Sequence, residues 1–308
     1  MRLIIHHWDT DGITSAALLM KKLGEDFENL TGPIGEFRFD DRIWKEIERA
    51  EEIYVVDFNV PREAEKLRVP TVFIDHHSQP RIKNPLVKHV NPVLEGRYYP
   101  SASFVVSEYL NYWNEWSALG VVGDIGVKAF EVPRVNELLK LDREDALKLV
   151  ELIDSNYIIM NRKAVEEAVR VLLENGVKDI LEYEPWLRNV EAINKEIERA
   201  LANVEVKGEI AFVEFESPFN IISKVARRLV WEEGNEIAIV VNRNFHGKAQ
   251  VYCRALNLDL KPLIEKLKVS GFNAGGKREV LGCICERGEV DKVVEVIVEE
   301  LKLLQVFY

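Results

Sequence analysis

The sequence predicts an α/β protein whose N-terminal domain contains a parallel sheet covered by helices on both faces. Short apolar runs alternate with helical patterns from residue 3 to residue 75, which is typical of parallel strands joined by helices. The predicted strands are Leu3–His6, Ile34–Phe39, Ile53–Val56 and Thr71–Ile74. The predicted helices between them are Ile13–Leu23, Asp41–Ala50 and Arg62–Leu67.

Helical patterns dominate the middle of the chain, at Ser101–Trp113, Trp116–Gly123, Arg143–Asp154 and Ala164–Asn175. A long helix opening at Pro185 has apolar residues at steps of three and four, and its position predicts a connector. The last part is predicted to contain strands Ile210–Phe215, Ile237–Val241, Ala249–Ala255 and Leu281–Cys285, helices Ile221–Trp231 and Lys261–Lys266, and a glycine-rich turn at Asn273–Gly276. The predicted organisation is therefore a domain over residues 1–184, a connector helix over 185–205 and a smaller α/β domain over 206–308.

Composition favours a water-soluble protein of the cytoplasm with no membrane partner. Of the 308 residues, 47% are hydrophobic and 30% are charged. No apolar run approaches the roughly 20 residues of a membrane span, and histidines interrupt the N-terminal apolar run too early for a signal peptide. The three cysteines suit neither a disulfide framework nor a C-x-x-C metal site, so buried thiols in a reducing compartment are expected.

The net charge of −11 is unevenly distributed along the chain. Residues 206–308 carry 15 basic and 15 acidic side chains, so residues 1–205 carry the entire excess of negative charge. An acidic domain repels phosphate groups unless it also binds cations. The charge pattern therefore favours a first domain that binds divalent cations.

The stretch from His6 to Leu19 places potential ligands at the end of a predicted strand. His7 is followed by Asp9 and Asp11 at alternate positions, and Gly12 precedes the helix. Functional groups collect beyond the carboxyl ends of parallel strands, and two carboxylates this close repel each other unless a cation or protons neutralise them. The alternative interpretation is that Asp11 only caps the helix.

Further ionisable residues follow the next strands. Asp57 ends the run at residues 53–56, and Asp75, His76 and His77 end the run at residues 71–74. Because parallel strands end at the same edge, these side chains are expected to converge. Asp124 lies among small apolar residues, where a buried carboxylate is costly unless it is paired or bound to metal. The alternative is an ordinary turn aspartate.

This set of aspartates and histidines favours hard divalent cations. Oxygen-rich ligands with a minority of imidazoles suit Mn²⁺, which we favour, or Mg²⁺. About four aspartates and two histidines suit two ions that share a carboxylate better than one ion. Such a pair would activate water and hold a phosphoryl oxygen.

The spaced motifs resemble those of a known family. H-x-D-x-D-G at residues 7–12, Asp57, Asp75–His77 and Gly123–Asp124 look like the four motifs of the DHH phosphoesterases, in the same order. Within that family the resemblance is to RecJ-like nucleases, nearest to the archaeal Hef-associated type. The C-terminal part resembles the associated DHHA1 domain, so the resemblance covers both predicted domains.

The resemblance implies roles for the N-terminal residues. One metal ion would be bound by His7, Asp9 and Asp57. The other would be bound by Asp11, Asp57, His76 and Asp124. Asp57 would then bridge both ions, and together with His76 and His77 it would belong to the catalytic set. His77 would contact the scissile phosphate, and Asp75 would orient its histidine neighbours.

The resemblance also implies substrate-binding residues in the second domain. Arg254 stands where DHHA1 domains carry a substrate arginine, and Gly275, Gly276 and Lys277 stand where they usually have Gly-Gly-His. Lys277, followed by Arg278, can neutralise a phosphate but cannot shuttle a proton near neutral pH as histidine can. Other basic and aromatic residues nearby could add phosphate contacts and stacking faces: Arg243, His246, Lys248, Phe245 and Tyr252. The alternative is an ordinary charged surface with core aromatics.

The expected function is a two-metal phosphodiesterase that removes nucleotides from ends of single-stranded DNA or RNA, with 3′–5′ polarity favoured, in a cleft between the domains. Its partners would be single-stranded nucleic acid and a repair helicase or nuclease, in DNA repair, replication or RNA turnover. The alternative is a small-substrate phosphoesterase acting on very short oligoribonucleotides, phosphoadenosine phosphates or cyclic dinucleotides. A scaffold of the Cdc45 kind would show eroded ligands, whereas all four motifs are intact. An inorganic pyrophosphatase would need a denser Lys/Arg cradle.

Overall fold

The computed structural model describes residues 1–305 and divides into two compact units, Met1–Val190 and the part that begins at Glu191. Both units are α/β, so the predicted fold class is confirmed, with a parallel sheet in the first unit and a mixed sheet in the second. The last three residues of the predicted second domain, 306–308, lie outside the described residues.

The first unit is built on a parallel sheet of five strands in the order β2-β1-β3-β4-β5. The strands are β1 Arg2–His6, β2 Phe27–Thr31, β3 Glu52–Val56, β4 Thr71–Ile74 and β5 Val87–Val90. The central strands β1 and β3 each contain four successive buried residues, as expected when helices cover both faces of a sheet.

Helices surround this sheet, and many of them begin at side-chain caps. They are α1 Thr10–Leu23, α2 Asp41–Ile47, α3 Pro61–Ala64, α4 Ala102–Leu110, α5 Glu115–Ile125, α6 Pro133–Leu138, α7 Arg143–Ile158, α8 Arg162–Glu174, α9 Val177–Ile180 and α10 Glu184–Leu201. Short 3₁₀ segments occupy Pro92–Glu95 and Gly126–Glu131. Ser101 illustrates the capping, because its hydroxyl accepts a hydrogen bond from the Phe104 amide at the start of α4.

The predicted strand Ile34–Phe39 is wrong, and the real second strand is β2. Residues 34–39 form a turn and a bend, because Pro33 accepts a hydrogen bond from Glu36 and Gly35 has a positive φ of 86°. Phe27–Thr31 pairs with β1 at the edge of the sheet, where Glu28 is exposed. The strand at residues 27–31 was missed because its sequence is largely polar. Residues 34–39 were predicted as a strand because apolar residues recur there. The structure also contains β5, which was not predicted.

The second unit contains a mixed sheet of six strands in the order β10-β11-β9-β8-β7-β6. The strands are β6 Glu205–Lys207, β7 Ile210–Phe215, β8 Ile237–Phe245, β9 Lys248–Ala255, β10 Asn273–Lys277 and β11 Val280–Cys285. Its helical segments are α11 Ile222–Arg227, a π-helical turn Arg228–Glu232, α12 Lys261–Val269, a 3₁₀ turn Arg287–Glu289 and α13 Val290–Gln305. Among these described strands, only β7 and β8 pair in parallel.

Two predictions in the second half need correction. The glycine-rich turn at Asn273–Gly276 is part of strand β10, which pairs antiparallel with β11 at the edge of the sheet. The turn that joins these strands lies instead at residues 278–279. The helix predicted over 185–205 ends at Leu201, and β6 begins within the predicted connector. The boundary between the two compact units falls inside α10, after Val190.

The three cysteines are free and buried on β9 and β11. Burial raises the pKa of the Cys253 and Cys283 thiols to about 12. These side chains therefore serve as apolar core filler. Within residues 1–305, none of the helices combines the length and hydrophobicity of a membrane span.

Helix α5 packs closely on α1 and α4 through a glycine. A Cβ added to Gly120 would clash with the Ser103 side chain and would lie 2.5 Å from an oxygen of Asp11. Asp11 and Ser103 are themselves fully or almost fully buried, so neither can move aside into solvent. The packing therefore depends on the absence of a side chain at residue 120.

We expect Gly120→Ala to destabilise the protein by about 1–3 kcal/mol, because it overpacks a rigid interior. Urea unfolding followed by circular dichroism measures the change. Gly288→Ala is the matched control, since no heavy atom lies within 4 Å of its added Cβ. Equal stability of the two variants would show that α5 can shift away from α1 at little cost.

Candidate metal centre

The carboxyl ends of three adjacent strands bring the predicted N-terminal ligands together. In the sheet, β3 lies between β1 and β4, and all three run parallel. His7 follows β1, Asp57 follows β3, and the segment from Asp75 to His77 follows β4. The remaining ligands, Asp9 and Asp11, lie at the start of α1, and Asp124 lies in the last turn of α5.

The turn after β1 contains two candidate ligands, His7 and Asp9, and is followed at once by helix α1. Asp9 is the N-cap of α1 and accepts a hydrogen bond from the Gly12 amide at 3.1 Å. The second oxygen of Asp9 lies 2.9 Å from Nδ1 of His7. A Cβ at Gly12 would clash with the backbone of His7, so only glycine lets the helix begin this close to the strand. The interpretation of Asp11 as the cap of α1 is therefore wrong.

Asp11 instead binds the N-terminus of another helix. Its carboxylate accepts hydrogen bonds from the Ala102 amide at 2.6 Å and the Ser103 amide at 2.9 Å, at the start of α4. Free amides and the helix dipole at this end stabilise a carboxylate. Nevertheless, burial raises the pKa of Asp11, against the lowering effect of His76.

Asp57 occupies the centre of the cluster in an unusual backbone conformation. Its φ is 56°, a left-handed value that costs most residues roughly 1–2 kcal/mol and that aspartate tolerates better. The residue is only 2% exposed, and its two carboxylate oxygens lie 3.6 Å from His7 Nδ1 and 3.7 Å from His76 Nε2. Asp57 thus lies between the two candidate ligands His7 and His76.

His76 lies close to a second group of carboxylates. Its Nε2 lies 3.3 Å from an oxygen of Asp124 and 3.9 Å from an oxygen of Asp11. These separations are long for hydrogen bonds. They match the distances of about 3 to 4.2 Å that separate the ligand atoms of an octahedral cation with bonds of about 2.1 Å.

Asp75 is buried and organises the turn after β4. One of its oxygens accepts hydrogen bonds from the His76 amide, the His77 amide and His77 Nδ1, at 2.7, 3.1 and 2.7 Å. The other accepts from Gln79 at 3.0 Å. Although burial alone would raise the pKa of Asp75, these contacts with His77 lower it. Its oxygens are already engaged, which suits an orienting role better than direct metal binding.

The electrostatics of the cluster are unfavourable for the protein alone. Burial, with the nearby charges of Asp11 and Asp9, raises the pKa of Asp57 well above its usual value. Burial and Asp11 raise the pKa of Asp124 to about 6. Asp9 behaves differently: although burial opposes ionisation, the adjacent His7 lowers its pKa. Because these carboxylates repel one another when ionised, the protonation of each one depends on the charge of its neighbours.

The donor set fits divalent cations. Groups whose ligand atoms lie within 4.8 Å of one another are His7–Asp9–Asp57, Asp11–His76–Asp124 and Asp57–Asp75–His76–His77. The first two correspond to the two ligand sets implied by the resemblance, with Asp57 adjacent to both. Among the described residues, both ring nitrogens of His7 and Nε2 of His76 are buried without a hydrogen-bond partner, and it is Nδ1 of His7 that lies next to Asp9 and Asp57. A buried nitrogen without a proton donor or acceptor is costly, and a bound metal ion would satisfy it.

Two supporting contacts of the cluster were not predicted. Asp154 on α7 accepts hydrogen bonds from the Thr10 amide and hydroxyl, at 2.9 and 2.7 Å, and so fixes the start of α1 next to Asp9 and Asp11. The amides of α4 hold Asp11. These residues are distant along the chain, and neither pair carries a spacing or motif that would reveal the contact.

In the second unit, Arg254 adjoins an exposed tryptophan. Its guanidinium carbon lies 4.8 Å from the ring centroid of Trp231, whose side chain is 60% exposed. One terminal nitrogen donates to the Tyr252 hydroxyl at 3.3 Å, and Nε is buried without a partner in the described chain. In the sheet, Val280 of β11 lies between Lys277 of β10 on one side and Arg254 of β9 on the other, so the two basic residues lie at the same level of the two strands that flank β11. No motif or spacing had singled out Trp231.

Several other residues predicted to contact substrate in the second unit already have partners within the protein. Arg243 forms ion pairs with Glu214 and Asp291, and Lys248 pairs with Glu286 at 2.7 Å. Phe245 is only 6% exposed, so it offers no stacking face for a base, and that suggestion was wrong. Gly275 and Gly276 lie in strand β10, Arg278 follows the strand, and its carbonyl accepts a hydrogen bond from Leu260.

A comparison with known protein families finds a match to the part of the chain that contains this site. Residues 2–131 match the description "DHH family, N-terminal domain", which spans His7 through Asp124. No curated protein sequence matches the chain significantly. The family match thus covers the residues that form the candidate metal-binding groups.

Solved structures share the fold over nearly the whole chain. RecJ from Thermus thermophilus in complex with Mn²⁺ aligns with a TM-score of 0.70 and 16% identity, over 96% of this chain and 51% of RecJ. A DHH domain described as a member of a family of ribosomal proteins aligns with a TM-score of 0.69 and 20% identity, over 97% and 86%. A pGpG-specific phosphodiesterase from Vibrio cholerae aligns with a TM-score of 0.56 and 15% identity, over 98% and 99%. At these identities the likeness is one of fold.

We expect Mn²⁺ to raise the melting temperature by about 5 °C or more, because a cation relieves repulsion that exists only in the folded state. Asp57→Asn should raise the melting temperature by about 3 °C in chelator, since asparagine tolerates a positive φ and cannot take on the charge whose burial raises the pKa of Asp57. The same variant should lose more than half of the Mn²⁺-induced increase. Thermal unfolding with Mn²⁺ and with chelator measures both effects.

The control for this experiment is Asp41→Asn, which removes an exposed carboxylate from the first turn of α2. It should leave the Mn²⁺-induced increase intact. An unchanged increase in Asp57→Asn would show that Asp57 does not contribute to cation binding.

Proposed function

We propose that this chain, whose residues 2–131 match a DHH family N-terminal domain, is a metal-dependent phosphodiesterase that shortens single-stranded nucleic acid from an end. The observation that supports the proposal most directly is the pair of candidate ligand groups that meet at Asp57, with buried imidazole nitrogens of His7 and His76 that lack hydrogen-bond partners among the described residues. Two bound divalent cations would polarise water and stabilise charge on the phosphate and the leaving oxygen.

The protein's own residues would orient the phosphate and neutralise its charge. Because the Asp75 carboxylate only accepts hydrogen bonds, His77 donates its Nδ1 proton to Asp75, and Nε2 is left for other contacts. The His77 side chain is 41% exposed. Burial would lower its pKa, but the bond to Asp75 raises it instead. His77 is therefore suited to hold a proton against a phosphate oxygen.

The second unit would bind the strand beyond the reacting phosphate. Nε of Arg254 has no partner among the described residues, and Trp231 offers an aromatic face beside the guanidinium. Stacking of bases on exposed aromatic rings, together with cationic contacts to phosphates, is the usual basis of sequence-tolerant single-strand binding. Because residues 1–205 are acidic, such contacts are expected to come from residues 206–308, which carry no net charge.

A small-substrate phosphoesterase is the second candidate. It is favoured by the fold likeness to the Vibrio cholerae protein named as a pGpG-specific phosphodiesterase, which this chain covers almost completely. An enzyme of this kind needs only a short binding region. Its activity would fall as the strand lengthens, whereas the first candidate gains phosphate contacts with length.

Cleavage of labelled strands of graded length tests the function. We expect Mn²⁺-dependent shortening of single strands tens of nucleotides long, with duplex resistant, and more than a hundredfold loss in Asp57→Ala because this carboxylate adjoins both ligand groups. Labels at either end report the polarity, which we expect to be 3′–5′. Asp41→Asn should cleave normally. Turnover confined to substrates of two to five nucleotides would favour the second candidate.

Salt dependence tests the contribution of Arg254. We expect Arg254→Ala to weaken binding of single strands and to reduce the slope of log K against log salt by about one unit, because one phosphate contact is lost. Arg243→Ala makes the same change in charge at an arginine that is already paired with acids, so its slope should stay near that of the parent. Equal slopes in the two variants would contradict a phosphate contact at Arg254.

A further inference from the structure

Phe37 places an exposed aromatic ring next to the candidate metal centre. Its ring centroid lies 5.6 Å from that of the ligand His7, with an angle of 20° between the two planes. The side chain is 58% exposed, whereas the neighbouring Trp8 and Phe58 are buried. An aromatic ring exposed to this extent forgoes much of the free energy that burial would provide.

The ring is held in position by other aromatic side chains. Its centroid lies 5.3 Å from that of Trp8 and 5.9 Å from that of Phe58. Ile34 and Phe39, on either side in the sequence, are buried at 3% and 4% exposure and anchor the segment. Phe37 therefore presents a fixed surface, which loses little conformational entropy when a planar ligand stacks on it.

The carboxylates beside His7 determine what kind of ligand can reach this ring. His7 Nδ1 lies 2.9 Å from Asp9 and 3.6 Å from Asp57, so the imidazole contacts both the aromatic group and the acids. A ligand that spans both must join an anionic, metal-binding part to a planar apolar part across a short link. A nucleotide has this structure, because one ribose joins its phosphate to its base.

We propose that Phe37 is the base-stacking residue for the nucleotide whose phosphate is bound at the metal centre. The inference rests on the proposed function and adds to it the recognition of the base rather than of the phosphate alone. Every base has a stacking face, so this contact favours nucleotides over other phosphate esters without selecting a sequence. If no base stacks on Phe37, the alternative role of this ring is to cover the imidazole of His7.

Equilibrium binding separates these roles. The probes are adenosine 5′-monophosphate and ribose 5-phosphate, which share the sugar and phosphate and differ by the base, titrated by calorimetry with Mn²⁺ present. We expect the parent protein to prefer the nucleotide by about tenfold, a typical contribution of one base stacked on an aromatic ring. Phe37→Ala should remove this preference and leave the affinity for ribose 5-phosphate within about twofold of the parent value.

Two further variants sharpen the comparison. Phe37→Trp should keep the preference, because it retains a planar ring, whereas Phe37→Leu should lose it despite being apolar. Leu86→Ala is the matched control: Leu86 is 44% exposed and lies at the amino edge of the sheet, where its carbonyl accepts from Thr71. It should behave as the parent protein does.

The outcomes distinguish this inference from the proposed function. Equal weakening of both probes in Phe37→Ala, or no preference in the parent protein, overturns base stacking while the phosphate site stands. Failure of both probes to bind the parent protein contradicts both proposals. A base preference that depends on Phe37 supports the inference even if long single strands are not cleaved.

Discussion

Repulsion among carboxylates at one edge of a parallel sheet is the constraint on which the first unit depends. Asp11 is held by the amides of α4, Asp75 by the amides of its own turn, and Asp9 by the first turn of α1. Each contact uses backbone donors that a helix or turn leaves free. The helices are thus arranged to hold charges that would otherwise destabilise the fold.

The convergence of these side chains at one edge of the sheet could be predicted, because the end of an apolar run and the residue that follows it can be read directly from the sequence. An apolar run that stops at His7, Asp57 or Asp75 reveals both the strand and the ionisable side chain at its end, and parallel strands then bring these side chains to one edge of the sheet. The contacts of Asp11 with Ala102 and of Thr10 with Asp154 were beyond prediction, because they join distant helices by packing rather than by pattern.

The second unit was harder to predict from sequence for a physical reason. Whether an arginine is available depends on its neighbours across strands, and those are unknown until the register is fixed. Arg243 is taken up by Glu214, whereas Arg254 adjoins Trp231 and Tyr252. The prediction of a turn at strand β10 was wrong, because glycine usually weakens a strand, whereas here Gly276 lies so close to the Val280 carbonyl that an added Cβ would clash with it.

The buried cysteines have a practical consequence for studying these sites. With the thiols of Cys253, Cys283 and Cys285 buried and their pKa values raised, few thiolates form near neutral pH, and a maleimide dye would find little to react with. A cysteine introduced on the surface of either unit would then be labelled selectively, with the native residues left in place. Pairs of such labels, one on each unit, would allow fluorescence measurements of the distance between the units with and without Mn²⁺.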